Sequence, residues 1–202
     1  MGKVTAITPQ VKDDKRVNVY IDGAFACGLS LEAAVKNKVK VGAEIDEARL
    51  KEIEFDSEKT SAMEKTAAFI SKTMKTEREV ALFLARKGYS EAVVSFILEK
   101  YKSYGYIDDA AYAESYVKSY AAKKGDRLLK AELSRRGVSE EHISAALQNA
   151  VRDENAVDAL AAKFMRGREH SQKEISRLYR HLLSKGFSYE EAERAAAPYK
   201  EP

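Results

Sequence analysis

The chain has 202 residues, 45% hydrophobic and 33% charged, with 35 lysines and arginines against 32 aspartates and glutamates. This describes a highly charged, soluble protein long enough for one large or two to three small domains, without the ~18–20-residue apolar run that crosses a bilayer. The opening MGKVTAITPQVKDDKR carries no apolar signal-peptide core, and the single Cys27 excludes an internal disulfide framework, so a cytoplasmic protein with no membrane partner is expected.

Residues 1–55 carry the strand signals. KVTAI (3–7) reads as one strand, and RVNVYI (16–21) alternates Val17, Val19 and Ile21 with polar or amphipathic neighbours, the period of a half-buried strand. Asp22-Gly23 then leads into AFACGL (24–29), with Phe25, Cys27 and Leu29 on one side. An Asp-Gly pair between two alternating runs predicts a hairpin, because both residues tolerate positive φ. Ser30 is placed to cap a short helix over LEAAVKN, and Asp46 another over EARLKEIE. This segment is formally neutral and is expected to form a small α+β unit.

From residue 56 onward the strand signals vanish and the apolar period becomes helical. One phrase recurs three times, as ARKGYSEAVVSFIL (85–98), SRRGVSEEHISAAL (134–147) and LSKGFSYEEAERAA (183–196). Its glycines, Gly88, Gly137 and Gly186, are 49 residues apart. At that offset Val80, Leu129 and Leu178 align, as do Leu84, Leu133 and Leu182, each pair four apart on one helix face. Each glycine predicts a left-handed helix stop, the apolar Tyr89, Val138 or Phe187 a staple, and Ser90, Ser139 or Ser188 the cap of the next helix. A preceding helix in each unit carries Phe69-Ile70, Tyr116-Val117 or Phe164-Met165. The expected fold is therefore mainly α: a small α+β unit with a β-hairpin (1–55), then three tandem three-helix, helix-turn-helix-like repeats at 56–103, 104–152 and 153–202. In the third repeat Ala192, Ala195 and Ala196 replace larger apolar residues, so its last helix is expected to pack loosely or against another element.

No catalytic constellation is present. His142, His170 and His181 lack metal-ligand spacing, Cys27 sits on an apolar strand face, and no phosphate-cradling glycine loop occurs. Asp108-Asp109 is the carboxylate pair nearest to a nuclease-type metal site, but one of them is better placed as a helix N-cap, and Tyr112, Tyr116 and Tyr120 form a core-like stripe behind it. No cofactor and no metal are expected. The remaining candidates are basic. Residues 123–136 hold six basic and two acidic side chains, and residues 163–185 hold seven and two. Arg78, Arg86, Lys123, Lys124, Arg127, Lys130, Arg135, Arg136, Arg166, Arg168, Lys173, Arg177 and Arg180 are the candidate contacts to a polyanion or an acidic protein groove. Lys87, Arg136 and Lys185, just before the glycines, are also explained as complements to helix C-termini.

GYIDDAAYAESYV (105–117) resembles the GYIDDxxFA signature of the RecX regulatory proteins, with Tyr112 in the aromatic slot. The L-x-x-x-L…[KR]-G-[apolar]-S units resemble that family's three-helix repeats, and ITPQ (7–10) with RVNVYIDGAFACGLS (16–30) resembles the extension of its longer members. The resemblance implies a non-enzymatic modulator of the RecA recombinase: an elongated, curved helical array, expected to be a monomer. It would lie in the groove of the RecA–single-stranded-DNA filament and inhibit strand exchange, ATP hydrolysis and coprotease activity toward the LexA repressor. The competing reading is a helix-turn-helix transcription regulator. Against it, helices such as SEEHISAAL carry acidic and small residues where a base-reading helix would be basic.

Overall fold

The computed structural model describes residues 1–11, 13–150, 153 and 155–200. They divide into two compact units, one of Met1–Met74 with Val80–Tyr106, the other of Lys75–Glu79 with Ile107–Pro202.

In the first unit, β1 (Gly2–Gln10), β2 (Asp13–Ile21), β3 (Ala24–Ser30) and the two-residue β4 (Glu44–Ile45) form an antiparallel sheet in the order β3-β2-β1-β4. The expected hairpin is present: Asp22 (φ 49°) and Gly23 (φ 86°) both lie in the left-handed region, as a type I′ turn requires. Val17, Val19, Cys27 and Leu29 share the inner face and pack on Ala34 of α1 (Leu31–Lys36) and on Leu50 and Ile53 of α2 (Glu47–Ile70). Burial pushes the Cys27 thiol up to about 12, in keeping with a small core residue rather than a nucleophile. The Ser30 side chain accepts from Ala33 N as expected, and its own N–H donates to Ser57 Oγ (2.8 Å), so α2 satisfies part of the β3 edge.

α2 is where the structure departs from the expected layout. With neither glycine nor proline between 47 and 70, the helix runs unbroken for 24 residues, straight through the boundary expected after residue 55. Asp46 occupies the N-cap position but its side chain makes no capping hydrogen bond. The second half of α2 packs with α3 (Glu77–Arg86) and α4 (Glu91–Ser103) as the first three-helix repeat. The Phe69 and Phe83 rings stack at 4.2 Å, and Tyr101 donates to the Met63 carbonyl at 2.7 Å. Ser90 caps α4 by position only. Its hydroxyl and amide instead bond to the buried Glu58 carboxylate of α2 (2.9 and 3.3 Å), which thereby takes over that helix terminus.

The second unit contains α5 (Asp109–Tyr120), α6 (Asp126–Arg135) and α7 (Glu140–Gln148), then α8 (Ala156–Met165), α9 (Gln172–Ser184) and α10 (Tyr189–Ala196). The register read from the sequence holds here and in the first repeat. Val80, Leu129, Leu178, Leu84, Leu133 and Leu182 are fully buried, and Gly88, Gly137 and Gly186 have φ of 83°, 91° and 88°. Ser139 accepts from His142 N, and Ser188 forms a full capping box with Glu191. Asp108 caps α5 through Ala111 N at 2.9 Å. The expectation of a loosely packed last helix is overturned. Ala192, Ala195 and Ala196 are buried against Val157, Ala161, Leu178 and Phe187, and their small size lets α10 approach α8 and α9 closely.

Within the second unit, one kind of contact to a glycine turn is used twice. Thr76, ahead of α3, donates its hydroxyl to the Arg136 carbonyl in the glycine turn of the next repeat (2.7 Å). Forty-nine residues later Gly125, ahead of α6, donates its amide to the Lys185 carbonyl (2.9 Å), and Arg127 N donates to the Gly186 carbonyl (3.2 Å). Thr76 and Glu79 also bond reciprocally (3.1 and 3.2 Å), and Asp109 accepts from Glu77 N (2.9 Å), so the start of α3 belongs with the second unit.

The close approach sets an order for glycine substitutions. A Cβ at Gly88 meets nothing within 4 Å, one at Gly137 meets the Arg78 side chain, and one at Gly186 overlaps the Leu128 backbone. Gly88→Ala should cost about 1–2 kcal/mol for the left-handed backbone alone. Gly186→Ala should add about 1–3 kcal/mol of overpacking, with Gly137→Ala between them. Urea-unfolding midpoints check the ranking; equal losses at the three positions would show that inter-repeat packing does not depend on the missing Cβ.

Candidate functional site

Of the thirteen basic candidates, Arg86 lies in the first unit and the others in the second. The structure sorts them by what their charges already touch.

Arg136 is held inside the second unit. Its guanidinium bonds to Glu79 (3.0 Å) and to the Tyr112 hydroxyl (2.9 Å) and lies 5.2 Å from the Tyr116 ring. It is therefore more than a complement to a helix end: it ties the start of α3 to α5 and to the glycine turn. Lys124 is also engaged. It bonds to Glu132 (2.6 Å) and the Tyr116 hydroxyl (3.3 Å), and sits 4.3 Å from the Tyr120 ring centroid. Tyr116 donates to the same Glu132 carboxylate at 2.6 Å. Burial alone would push the Glu132 carboxyl up, but the hydrogen bonds from Lys124 and Tyr116 outweigh it and hold it below its ordinary value. Burial likewise opposes the Lys124 charge, and the bonds to Glu132 and Tyr116 raise the ammonium above its ordinary value.

Lys130 pairs with Glu140 at an exposed position. In the third repeat Glu174 takes both Arg168 (3.1 Å) and Arg177, and Arg168 also donates to the Phe164 carbonyl (2.8 Å) over the Phe164 ring. Arg78, Arg86, Lys123, Arg127, Arg135, Arg166, Lys173 and Arg180 are exposed and form no ion pair among the described residues. The inter-repeat contact brings some of these together. The aliphatic part of Arg78 lies against Gly137, next to Arg135 and Arg136, while the backbone of Arg127 docks on the turn that carries Lys185. Positions 49 residues apart thus give two equivalent places where a helix-start arginine meets a basic turn.

Asp108 and Asp109 cap α5 and the start of α3, and no group of three or more His, Cys, Asp or Glu among the described residues could hold a metal ion. No helix among them is long and apolar enough to cross a membrane. Sequence reasoning passed over two features. The first is the Thr76–Glu79 capping box, although its T-x-x-E pattern was readable. The second is an aromatic pair, Tyr179 and Tyr189, in the third repeat.

Comparison with known proteins bears on this arrangement. Residues 2–46 match the model of the regulatory protein RecX N-terminal domain, residues 108–147 the second RecX three-helix domain, and residues 152–195 the third. The regulatory protein RecX of Clostridium perfringens is 35% identical over 196 residues, covering 94% of this chain and 92% of that protein. The chain belongs to the RecX family of regulatory proteins. The Bacillus pumilus RecX is 31% identical over 201 residues, covering 96% of this chain and 76% of the relative. A crystal structure of regulatory protein RecX superposes with a TM-score of 0.67 at 26% identity, covering 98% of this chain and all of that one. The RecX of Lactobacillus salivarius shares the fold with a TM-score of 0.64 over 70% of this chain and 96% of its own.

The sorting of charges in this RecX-family chain has a pH signature. Glu132, with its lowered carboxyl, contributes stability above the ordinary carboxylate range that is lost as pH falls through its folded value. Lys124, with its raised ammonium, contributes below the ordinary lysine value near ~10.4 and loses that contribution as pH rises through its folded value. Lys124→Ala should therefore lower stability at neutral pH by about 1–3 kcal/mol, by leaving the half-buried Glu132 charge without its cation and with only the Tyr116 hydrogen bond. It should also flatten the acid limb between roughly pH 5 and 3. Arg127→Ala should stay within about 0.5 kcal/mol of wild type. Thermal melts followed by circular dichroism across pH decide it; equal effects of the two substitutions would contradict the sorting.

Proposed function

We propose that the protein binds the filament that the RecA recombinase forms on single-stranded DNA and inhibits its recombinase, ATPase and coprotease activities. It does so by occupying the filament groove, by promoting disassembly, or both. Membership of the RecX family supports this, and the observation that carries it is the contact between repeats. One carbonyl-to-helix-start junction recurs after 49 residues, with Arg78 and Arg127 at equivalent places beside it. A chain that repeats one local geometry at a fixed interval suits a partner that repeats one protomer at a fixed interval. The cations suit a polyanion or an acidic groove, where they gain charge-assisted contacts and release counterions.

The residues proposed to make contact are those whose charge is not consumed internally: Arg78, Arg86, Lys123, Arg127, Arg135, Arg166, Lys173 and Arg180. Lys124 and Arg136 carry part-buried ion pairs that hold the second unit together, and Lys130, Arg168 and Arg177 carry exposed ion pairs within the chain. The protein acts as a monomer and needs no cofactor in this scheme.

RecA-dependent ATP hydrolysis on single-stranded DNA, titrated with the protein, tests the proposal. Inhibition well below one protein per RecA is expected, and absence of inhibition at stoichiometric amounts would refute it. The double change Arg127→Glu with Arg135→Glu should weaken inhibition about tenfold or more without lowering the melting temperature. The inhibition should also fall steeply with salt, and less steeply in the double variant.

A further inference from the structure

The third repeat carries two rings at a pair of positions where the other two repeats have none. Tyr179 of α9 and Tyr189 of α10 stack at 5.8 Å with 26° between their planes, and Tyr189 is 63% exposed. They wall a shallow cleft of about 500 Å3 that also takes in Ile175, Leu183, Arg180 and Lys200. At the 49-residue offset, the equivalents of Tyr179 and Tyr189 are Lys130 and Glu140 in the second repeat, which form an ion pair with each other. In the first repeat they are Ala81 and Glu91. Tyr179 packs partly against the core of its repeat, but the exposed Tyr189 does not, and the three-helix fold is built twice without either ring, so folding does not account for the stacked pair.

The rings are also prepared for a ligand. The Tyr179 hydroxyl donates to Glu193, Lys200 pairs with the same carboxylate, and the Lys200 ammonium lies 5.7 Å from the Tyr179 ring centroid. Tyr179 is thus fixed in orientation and the Glu193 charge is neutralised at the cleft. Tyr189 stacks on Tyr179, and its high exposure leaves ring surface open to a further planar group. Arg180 lines the cleft and also ends a basic stripe, Lys173, Arg177 and Arg180, spaced i, i+4, i+7 along α9. Its Nε bonds to the Ser176 carbonyl at 3.4 Å, which leaves the rest of its guanidinium without an acid among the described residues.

We propose that the Tyr179–Tyr189 cleft is a stacking site for an unpaired nucleobase of single-stranded DNA, with the adjoining phosphates meeting Lys173 and Arg180 of that stripe, whose charges form no ion pair among the described residues, while Arg177 stays paired with Glu174. Aromatic faces beside a cationic track are how proteins hold single strands without reading sequence. The charge balance favours this occupant over an acidic peptide, which would use the cations and leave the open ring unmatched. This inference deepens the filament-binding reading and rests on it only for the biological setting.

Binding of a fluorescein-labelled oligothymidylate of about 20 nucleotides to the full chain, in the absence of RecA, tests the site by fluorescence anisotropy. Tyr189→Ala should weaken binding about tenfold, while Tyr189→Phe should keep it within about twofold of wild type. An abasic oligomer of the same length should bind wild type and Tyr189→Ala alike. Photocross-linking of an iodouracil-bearing oligonucleotide to the wild-type chain gives a check that needs no variant, with the adduct expected on Tyr179 or Tyr189. Unchanged binding by Tyr189→Ala, or adducts confined to other positions, would overturn the site. If Tyr189→Ala lost inhibition of the RecA ATPase with oligonucleotide binding intact, the cleft would be a protein contact and the proposal would fall. If the wild-type chain bound the oligonucleotide through Tyr189 yet left RecA unaffected, the stacking site would stand and the filament reading would fall.

Discussion

The repeats of the second unit depend on a carbonyl that must be reached through a gap where a side chain would otherwise stand. At both junctions the residue before a left-handed glycine offers its carbonyl to the start of the preceding repeat's middle helix: Arg136 to Thr76, and Lys185 to Gly125. The second junction is backbone on backbone, with no room for a Cβ on either Gly125 or Gly186. The buried carbonyl and the helix-start amide each need a partner, and each supplies the other's.

That junction also changes what the positive charges mean. Basic residues crowd the glycine turns, and by count alone they suggest one continuous patch. Once the start of α3 is placed against the second repeat, Glu79 reaches Arg136, and Arg136 reaches Tyr112 and the Tyr116 ring. Glu132 does the same for Lys124, and Glu174 for Arg168 and Arg177. The Lys124–Glu132 and Arg136–Glu79 pairs are part-buried and bear on packing, whereas Arg168 and Arg177 meet Glu174 at the surface. The charges left over are fewer and lie at helix starts and on outer faces, where a phosphate or an acidic side chain could replace water around them.

What could be read in advance was whatever depends on local backbone geometry. The Asp22-Gly23 turn, the three left-handed glycines and the Ser139 and Ser188 caps follow from spacing within a dozen residues, and the buried Val80/Leu129/Leu178 and Leu84/Leu133/Leu182 sets from that local pattern recurring every 49 residues. Long-range chemistry was not legible. Nothing near Ser90 says that Glu58, 32 residues back, will bond to it, and nothing near Arg136 points to Glu79, 57 residues away. The length of α2 was hidden for another reason. Its first half packs on the sheet and its second half on helices, so the apolar pattern changes partner midway while the backbone continues unbroken. Tyr179 and Tyr189 escaped because an aromatic residue in a helix is ordinarily core, and only the comparison with Lys130 and Glu140 marks them as out of place.

The three copies of the basic-glycine motif are therefore not equivalent, although they read alike. At Gly88 only the backbone angle demands glycine, and Lys87 before it lies 5.9 Å from the Phe83 ring centroid. At Gly137 the angle is joined by the Arg78 side chain, and at Gly186 by the backbone of the neighbouring helix. The middle helices differ in step. α3 and α6 start 49 residues apart, but α9 starts at Gln172, three residues ahead of that register, so it begins with about one extra turn of helix. The third repeat offers the Lys185 and Gly186 carbonyls to the second repeat through its own glycine turn. It is also the repeat that has two stacked rings where the second repeat has an exposed ion pair, and there the aromatic cleft and the basic residues of α9 come together.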